Sequence, residues 1–170
     1  MSTRRDFIKT VPAMGAAFAV APTFISEEGS AHNLCQYWGP SAMLSGLRCR
    51  GRYCDDLQIR CSNKSNAQLS GEFWTDYFSE EQGMRTCAGG NRVVTGIRCR
   101  GRYCDDIQLQ CKNLDNISIN FSNCHFSLWV SEEGQGGAMG YEILPDDTFP
   151  IGVECRGRYC DDKRVYYCYA

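Results

Sequence analysis

The sequence predicts an all-β fold built from three repeats of about 50 residues. The octapeptide CRGRYCDD occurs three times in the 170 residues, at positions 49–56, 99–106 and 155–162. Apolar and polar residues alternate on both sides of each copy, which is the pattern of a half-buried strand. The chain also holds twelve cysteines, a number that indicates disulfides or metal sites. These observations together favour small antiparallel repeats braced by disulfides.

Residues 1–19 are predicted to be a cleaved export signal. Arg4-Arg5 and the residues after them resemble a twin-arginine leader, and residues 10–24 carry no charge. The uncharged stretch is too short to span a bilayer, and a small-x-small site places cleavage before Val20. The protein is therefore expected to be secreted or periplasmic, where disulfides form. A buried N-terminal helix is the alternative, but it leaves the arginine pair unexplained.

The charge of the mature chain argues against two classes of partner. Loss of the leader removes three basic residues and one acidic residue, so the formal net charge falls from -2 to -4. A mildly acidic domain is not built to bind nucleic acid or an anionic membrane by bulk electrostatics. We expect neither as a partner, and we expect no transmembrane span.

Residues 20–170 are predicted to form a single domain of three repeats. Each repeat begins with an aromatic residue, an apolar residue and Ser-Glu-Glu, continues to the octapeptide, and ends at a cysteine. The Ser-Glu-Glu segments are expected to be solvated strand ends, because the nearby arginines disfavour the alternative of calcium ligation. These segments lie at 26–28, 79–81 and 131–133. The approximate limits of the repeats are 20–71, 72–123 and 124–170.

Each octapeptide is predicted to be the tip of a β-hairpin. A turn made of Arg-Gly-Arg-Tyr would place the two cysteines of the octapeptide directly opposite each other. The third repeat has one extra residue before its last cysteine, which predicts a β-bulge within 163–167. Before the octapeptide, the alternation of apolar and polar residues starts at Met43 in the first repeat and at Phe149 in the third. In the second repeat, the residues that share one strand face are Val93, Thr95, Ile97, Cys99, Ile107, Leu109 and Cys111.

The cysteines are predicted to form six disulfides. Residues opposed across an antiparallel pair are close enough to be bridged, which pairs the cysteines within each octapeptide. The remaining six are left open, although closure of each unit favours one arrangement for them. Zinc is the alternative, but the C-x4-C and C-x6-C spacings differ from those of structural zinc sites, so no metal or other cofactor is predicted. The favoured pairs are Cys49–Cys54, Cys99–Cys104, Cys155–Cys160, Cys35–Cys61, Cys87–Cys111 and Cys124–Cys168.

Three antiparallel repeats of this length favour a β-prism with three pseudo-symmetric sheets over a β-trefoil, whose units are shorter, or a small propeller. The segments CAGG at 87–90, VTGI at 94–97 and DDIQLQC at 105–111 resemble the repeat of the vitelline membrane outer layer protein I family. The resemblance implies a β-prism I fold, shared with jacalin-type lectins, and a role in outer coats or in handling oligosaccharides. It assigns no catalytic residue.

The tips are the predicted ligand-binding site. Guanidinium forks, an aromatic ring and carboxylates on a rigid loop suit a sugar, and three separate copies would give multivalent binding. In the alternative, the arginines pair with nearby carboxylates, the tyrosine packs between sheets, and the motif is a structural brace. The candidate residues are Arg50, Arg52, Tyr53, Asp55, Arg100, Arg102, Tyr103, Asp105, Arg156, Arg158, Tyr159 and Asp161.

The function that these observations favour is non-catalytic, lectin-like binding of a carbohydrate or cell-surface glycan. A structural coat or matrix protein without a discrete ligand is the main alternative, and a weak oligosaccharide-processing enzyme is the third. His32 and His125 occupy non-equivalent positions in the repeats, so no catalytic arrangement with histidine recurs.

Overall fold

The computed structural model describes residues 32–131 and 141–170, and this part of the chain is all-β. The predicted leader, the first Ser-Glu-Glu segment and the Glu-Glu pair of the third lie outside the described residues. The strands are β1 His32–Leu34, β2 Ala42–Arg50, β3 Asp56–Asn63, β4 Leu69–Trp74, β5 Met84–Thr86, β6 Arg92–Arg100, β7 Asp106–Leu114, β8 Asn120–Phe126, β9 Glu142–Ile143, β10 Thr148–Arg156 and β11 Asp162–Tyr169. Short 3-10 turns lie at Cys35–Trp38, Arg52–Cys54 and Arg158–Cys160. Within the described ranges, no helix has the length and apolar character needed to cross a bilayer.

Each of the three antiparallel sheets is built on one hairpin, and each hairpin has an octapeptide at its tip, as predicted. The hairpins are β2–β3, β6–β7 and β10–β11. The strand orders are β3-β2-β9 in the first sheet, β1-β6-β7-β4 in the second and β5-β10-β11-β8 in the third.

Each repeat donates a short strand to the sheet of another repeat. Strand β1, from the first repeat, pairs with β6 of the second, and β5 of the second pairs with β10 of the third. Strand β9, from the third repeat, returns to pair with β2 of the first. The exchange forms a closed ring, so the three repeats are held together by backbone hydrogen bonds as well as by their cores. Strands β4 and β8 cross the approximate repeat limits at 71/72 and 123/124.

Every hairpin has a β-bulge at the same position in its first strand. In the second hairpin Val94 pairs with Cys111 and Gly96 with Gln110, which leaves Thr95 as the extra residue. The register shifts at the equivalent place in the other two hairpins. A bulge reverses the face on which later residues lie. The predicted single face that runs from Val93 to Cys99 is therefore wrong.

The bulges divide the apolar residues between two cores. The bulge keeps Val94 on the same strand face as Ile97, and this face contacts a main core shared by all three hairpins, which includes Leu44, Leu47, Leu57, Val94, Ile97, Ile107, Leu109, Val153 and Val165. Val93 lies on the opposite face and belongs to a second core, made of Met43, Ala67, Val93, Leu114, Ile119, Phe149, Ile151 and Cys168. The alternation thus predicts strands correctly but misplaces Met43, Val93 and Phe149.

The extra residue of the third repeat does not form a bulge within 163–167, so that prediction is wrong. The bulge of this hairpin lies in β10, between Pro150 and Gly152, as in the other two. Cys168 instead sits one position further along β11, where it points into the second core and pairs with Cys124 of β8.

All twelve cysteines are paired in six disulfides, which are the six favoured pairs. The bonds take up every thiol that the alternative zinc sites would have needed. Cys35–Cys61 and Cys87–Cys111 each close a unit of the chain, whereas Cys124–Cys168 ties the last strand to β8. A chain with a modest apolar core gains much of its stability from such links.

Candidate functional site

The tips are wider than the predicted four-residue turn. Arg100 pairs with Asp106, so residues 101–105 form the loop, and Cys99 lies opposite Ile107 rather than Cys104. The predicted opposition of Cys99 and Cys104 is therefore wrong, although the disulfide forms, with Cα atoms 4.8 Å apart. It joins the end of a strand to the loop, and the other two tips have the same register.

The loop backbone occupies conformations that side chains normally avoid. The first-tip residues Tyr53 and Cys54 have φ values of 63° and 56°, and Tyr159 and Cys160 of the third tip have 67° and 54°. Left-handed residues other than glycine cost roughly 1–3 kcal/mol each and persist only where the surroundings enforce them. The tip disulfides supply that constraint, and such strain is concentrated at functional sites in proteins.

Each tip glycine is required for two reasons. Gly101 has a φ of 82°, and a Cβ atom there would overlap Oδ1 of Asp105, whose carboxylate folds back over the glycine. Gly51 and Gly157 are in the same situation with the first aspartate of their own tips. The glycine and the aspartate of the octapeptide are therefore a matched pair.

Substitution of Gly101 by alanine is expected to lower the free energy of unfolding by roughly 2–3 kcal/mol, because left-handed strain and displacement of Asp105 add together. Gly83→Ala is the matched control, since Gly83 has a φ of 69° but its Cβ would meet nothing within 4 Å. That control should lose only about 1 kcal/mol, from the strain alone. Denaturant unfolding of both variants measures the difference. Equal losses would show that the Asp105 contact is unimportant.

The three tips meet at one end of the molecule. The ring centroid of Tyr53 is 5.1 Å from that of Tyr103 and 5.8 Å from that of Tyr159, and the last two are 5.2 Å apart. We call this surface the apex, meaning the tips at residues 50–56, 100–106 and 156–162. The three copies of the octapeptide are therefore close together, and every repeat contributes to one composite surface.

The first arginine of the octapeptide is a brace in the second and third tips. Arg100 Nε lies 2.8 Å from Asp106 Oδ2, and its guanidinium stacks over Tyr77 at 4.1 Å. Arg156 makes the equivalent ion pair with Asp162 at 2.9 Å and stacks 3.9 Å from the centroid of Trp129. These contacts match the alternative in which arginine pairs with carboxylate within the hairpin. Tyr77 and Trp129 are the aromatic residues that precede the Ser-Glu-Glu segments, a recurrent pairing that the sequence contained but that we did not predict.

The second arginine of the octapeptide is arranged differently. Arg52, Arg102 and Arg158 are exposed, and each guanidinium lies over the ring of the tyrosine that follows it, at 4.9, 5.5 and 4.9 Å. In the described part of the chain, none of the three has a carboxylate oxygen within 4.0 Å. Their side chains are thus available at the surface of the apex.

A buried lysine lies just behind the third tip. Lys163 is fully buried and occupies the position that Leu57 and Ile107 hold in the other repeats. Its Nζ donates a hydrogen bond to the carbonyl oxygen of Cys160. Burial lowers the pKa of Lys163 to about 8, although Asp161, Asp162 and Asp105 oppose the shift. Sequence reasoning missed this residue, and its departure from the apolar residues of the other two repeats was the available signal.

The Ser-Glu-Glu segment of the second repeat contacts the apex. Glu80 Oε1 accepts a hydrogen bond from the backbone N–H of Tyr159 at 3.3 Å, so this carboxylate is not simply a solvated strand end. No three acidic, histidine or cysteine side chains of the described residues converge closely enough to hold a metal ion. His125 stacks with Tyr167 and Tyr169 near the far end of β11, away from the apex.

No family model, curated protein or solved structure matches the chain. The assignment of a function therefore depends on the geometry of the apex.

Proposed function

We propose that this protein is an exported, non-catalytic, lectin-like protein that binds a carbohydrate or cell-surface glycan at the apex. The observation that carries the proposal is the convergence of one tyrosine from each repeat, with an exposed guanidinium over each ring. Aromatic rings offer a face for the C–H groups of a sugar, and guanidinium groups donate planar hydrogen bonds to its oxygens. A composite surface of this kind suits a ligand larger than a single monosaccharide.

The strained backbone of the tips supports a binding role. A hairpin that served only to connect two strands has less costly turns open to it, such as the two-residue turns of ordinary hairpins. The first and third tips instead retain a left-handed tyrosine and cysteine, and the second tip a left-handed cysteine, each behind a disulfide. Strain that is maintained by a covalent link fixes the tyrosine rings and arginines before a ligand arrives, which lowers the entropy cost of binding.

The fold and the compartment belong to the same proposal. Three sheets around a shared core, with strands exchanged in a closed ring, favour a β-prism like that of the vitelline membrane outer layer protein I family. The six disulfides favour an oxidising compartment, which agrees with export through a twin-arginine-like leader at residues 1–19. These assignments support a role outside the cytoplasm.

A structural coat or matrix protein is the second candidate. It is favoured by the ion pairs of Arg100 and Arg156 and by the dense disulfides, all of which stiffen the domain. A purely structural protein has no need of an exposed arginine stacked over a tyrosine. This candidate function therefore does not account for the second arginine of each tip.

Replacement of Tyr103 by alanine is expected to weaken glycan binding roughly tenfold, which corresponds to about 1.4 kcal/mol of lost binding free energy. The full chain, expressed with its own leader and purified in oxidised form, is screened on a glycan array, and the best ligand is then titrated. Tyr37→Ala is the control, because Tyr37 is 81% exposed and lies away from the apex. The carbonyl oxygen of the next residue, Trp38, accepts a hydrogen bond from Asn63, which ends β3 on the side opposite the tip. That variant should bind normally.

Two results would contradict the proposal. The first is the absence of binding to every glycan by protein in which mass spectrometry counts six intact disulfides. The second is an equal loss of affinity in Tyr37→Ala and Tyr103→Ala, which would place the site elsewhere.

A further inference from the structure

The two arginines of the second and third octapeptides differ in their electrostatic surroundings, whereas Arg50 of the first tip is exposed and makes no ion pair within the described residues. Arg100 and Arg156 are neutralised by carboxylates of the return strand at 2.8 and 2.9 Å. Arg52, Arg102 and Arg158 have no carboxylate partner among the described residues, and contact between their tyrosines holds them on one surface. Positive charges gathered in this way repel one another unless an anion lies between them.

The carboxylates of the tips are directed to other partners. Asp105 and Asp161 are half-buried and fold back over the tip glycines, and Oδ1 of Asp105 is buried without a hydrogen-bond partner. All three carboxylates Asp105, Asp161 and Asp162 interact electrostatically with the buried amine of Lys163. The tips therefore separate their charges, with carboxylates turned back and guanidinium groups outward.

Three acidic groups are exceptions to this separation, and among the described residues none forms an ion pair with an arginine of the apex. Asp55 folds back over Gly51 but remains exposed. Asp56 accepts a hydrogen bond from Gln58 at 2.9 Å. Glu80 contacts the third tip through the backbone N–H of Tyr159 rather than through Arg158. The exposed guanidinium groups are left to bind groups from outside the protein.

We infer that the ligand of the apex is an acidic glycan, whose carboxylate or sulfate groups are bound by Arg52, Arg102 and Arg158 while its sugar rings contact the tyrosines. This inference rests on the proposed function and names the ligand class of the same site. Arginine presents two parallel N–H donors that match the planar oxygens of a carboxylate or the edge of a sulfate. The protein as a whole is acidic, with a formal net charge of -2, so the attraction is local to the apex.

Matched pairs of polysaccharides test the inference, because the two members of each pair share one sugar backbone and only one of them carries charged groups. Dextran sulfate is compared with dextran, and polygalacturonate with its methyl ester, by titration of the full oxidised protein at fixed ionic strength. We expect the charged member of at least one pair to bind tenfold or more tightly than its neutral partner, and binding to weaken as salt is added. The pair that shows the difference identifies sulfate or carboxylate as the group recognised.

The outcomes separate this inference from the proposed function. Equal binding of charged and neutral partners overturns the acidic ligand but leaves a glycan-binding apex. If neither these polysaccharides nor any glycan on the array binds, the proposed function itself fails, and the inference with it.

Variants of single arginines test whether the positive charge that binds the polysaccharide lies in the apex. Arg102→Gln is expected to weaken binding of the acidic polysaccharide about tenfold, as for loss of one charge-assisted hydrogen bond, and Arg102→Lys should recover part of it. Arg60→Gln, an exposed arginine on β3 outside the tips, is the control and should change affinity less than twofold. Equal weakening by Arg60→Gln and Arg102→Gln would show a diffuse charge effect and overturn the assignment to the apex.

Discussion

Replacing Cys124 and Cys168 together by alanine is expected to lower the free energy of unfolding by about 4 kcal/mol, the largest loss for any single disulfide of this protein. The bond has the longest sequence separation of the six, 44 residues, so its removal restores the most freedom to the unfolded chain. A loss of this size is a large part of the stability of an ordinary domain. Denaturant unfolding of the oxidised double variant measures it without leaving a free thiol.

The tip pair Cys99 and Cys104 is the matched control for this experiment. It spans only 5 residues, for which the same chain-entropy argument gives about 2 kcal/mol. Both of its sulfurs belong to buried residues of the main core, whereas Cys124 is only partly buried. A cavity effect would therefore make the tip pair the more costly one to remove. If the tip variant proves less stable than the Cys124/Cys168 variant, the loop-entropy explanation is wrong for this fold.

Replacement of Lys163 by leucine is expected to stabilise the protein at pH 7 by roughly 2 kcal/mol. The folded protein binds the Lys163 proton with a pKa of about 8, below the ordinary value of 10.5, because burial disfavours the ammonium. The difference between these two pKa values corresponds to about 3 kcal/mol of destabilisation of the folded protein at neutral pH. Loss of the hydrogen bond to Cys160 offsets about 1 kcal/mol of the gain. Leucine fits because Leu57 fills the equivalent position of the first repeat.

The same substitution is expected to remove a pH dependence. Between pH 8 and 10.5 the unfolded chain binds the Lys163 proton and the folded protein does not, so stability should rise with pH in that range. The rise should appear in the difference between wild type and Lys163→Leu, in which the other titrating groups cancel. Lys112→Leu, at a surface ion pair with Glu72, controls for loss of one positive charge. A Lys163→Leu protein that is less stable than wild type at pH 7 would show that the ammonium is a net stabilising contact.

The hairpins and the disulfides were predictable because both depend on short-range sequence. Alternation of apolar and polar residues on each side of CRGRYCDD reports a strand directly, and the identical octapeptides imply identical turns. The cysteine pairs followed from closing each unit, with Cys124 and Cys168 left for each other. The register of the tips was predicted wrongly, because a five-residue loop with left-handed residues leaves the same alternation in the strands as a four-residue turn.

The bulges were not predicted, because the residue at the bulge is not of one type, although the glycine that follows it in every hairpin was an available signal. The residue at the bulge is Ser45 in the first hairpin, Thr95 in the second and Ile151 in the third. Only the pairing of both strands shows that one residue has no partner. The second core, and the placement of Met43, Val93 and Phe149 in it, follow from that one unpaired residue.

By itself the sequence determined three copies of a hairpin, the strands on both sides of each octapeptide and the cysteine pair within each tip, because each of these is encoded in a short contiguous stretch. The other three cysteine pairs were favoured by the sequence but left open. Tertiary structure alone decided that the three tips form one apex. Residues 53, 103 and 159 are far apart in the chain, and their contact arises from the packing of three hairpins on a shared core and from strands exchanged between repeats. It also decided which arginine is a brace in the second and third tips, because the sequence does not show which guanidinium group a carboxylate of the return strand reaches. A carboxylate from the return strand reaches Arg100 and Arg156, whereas the second arginine lies beyond its reach on the outer surface of the apex.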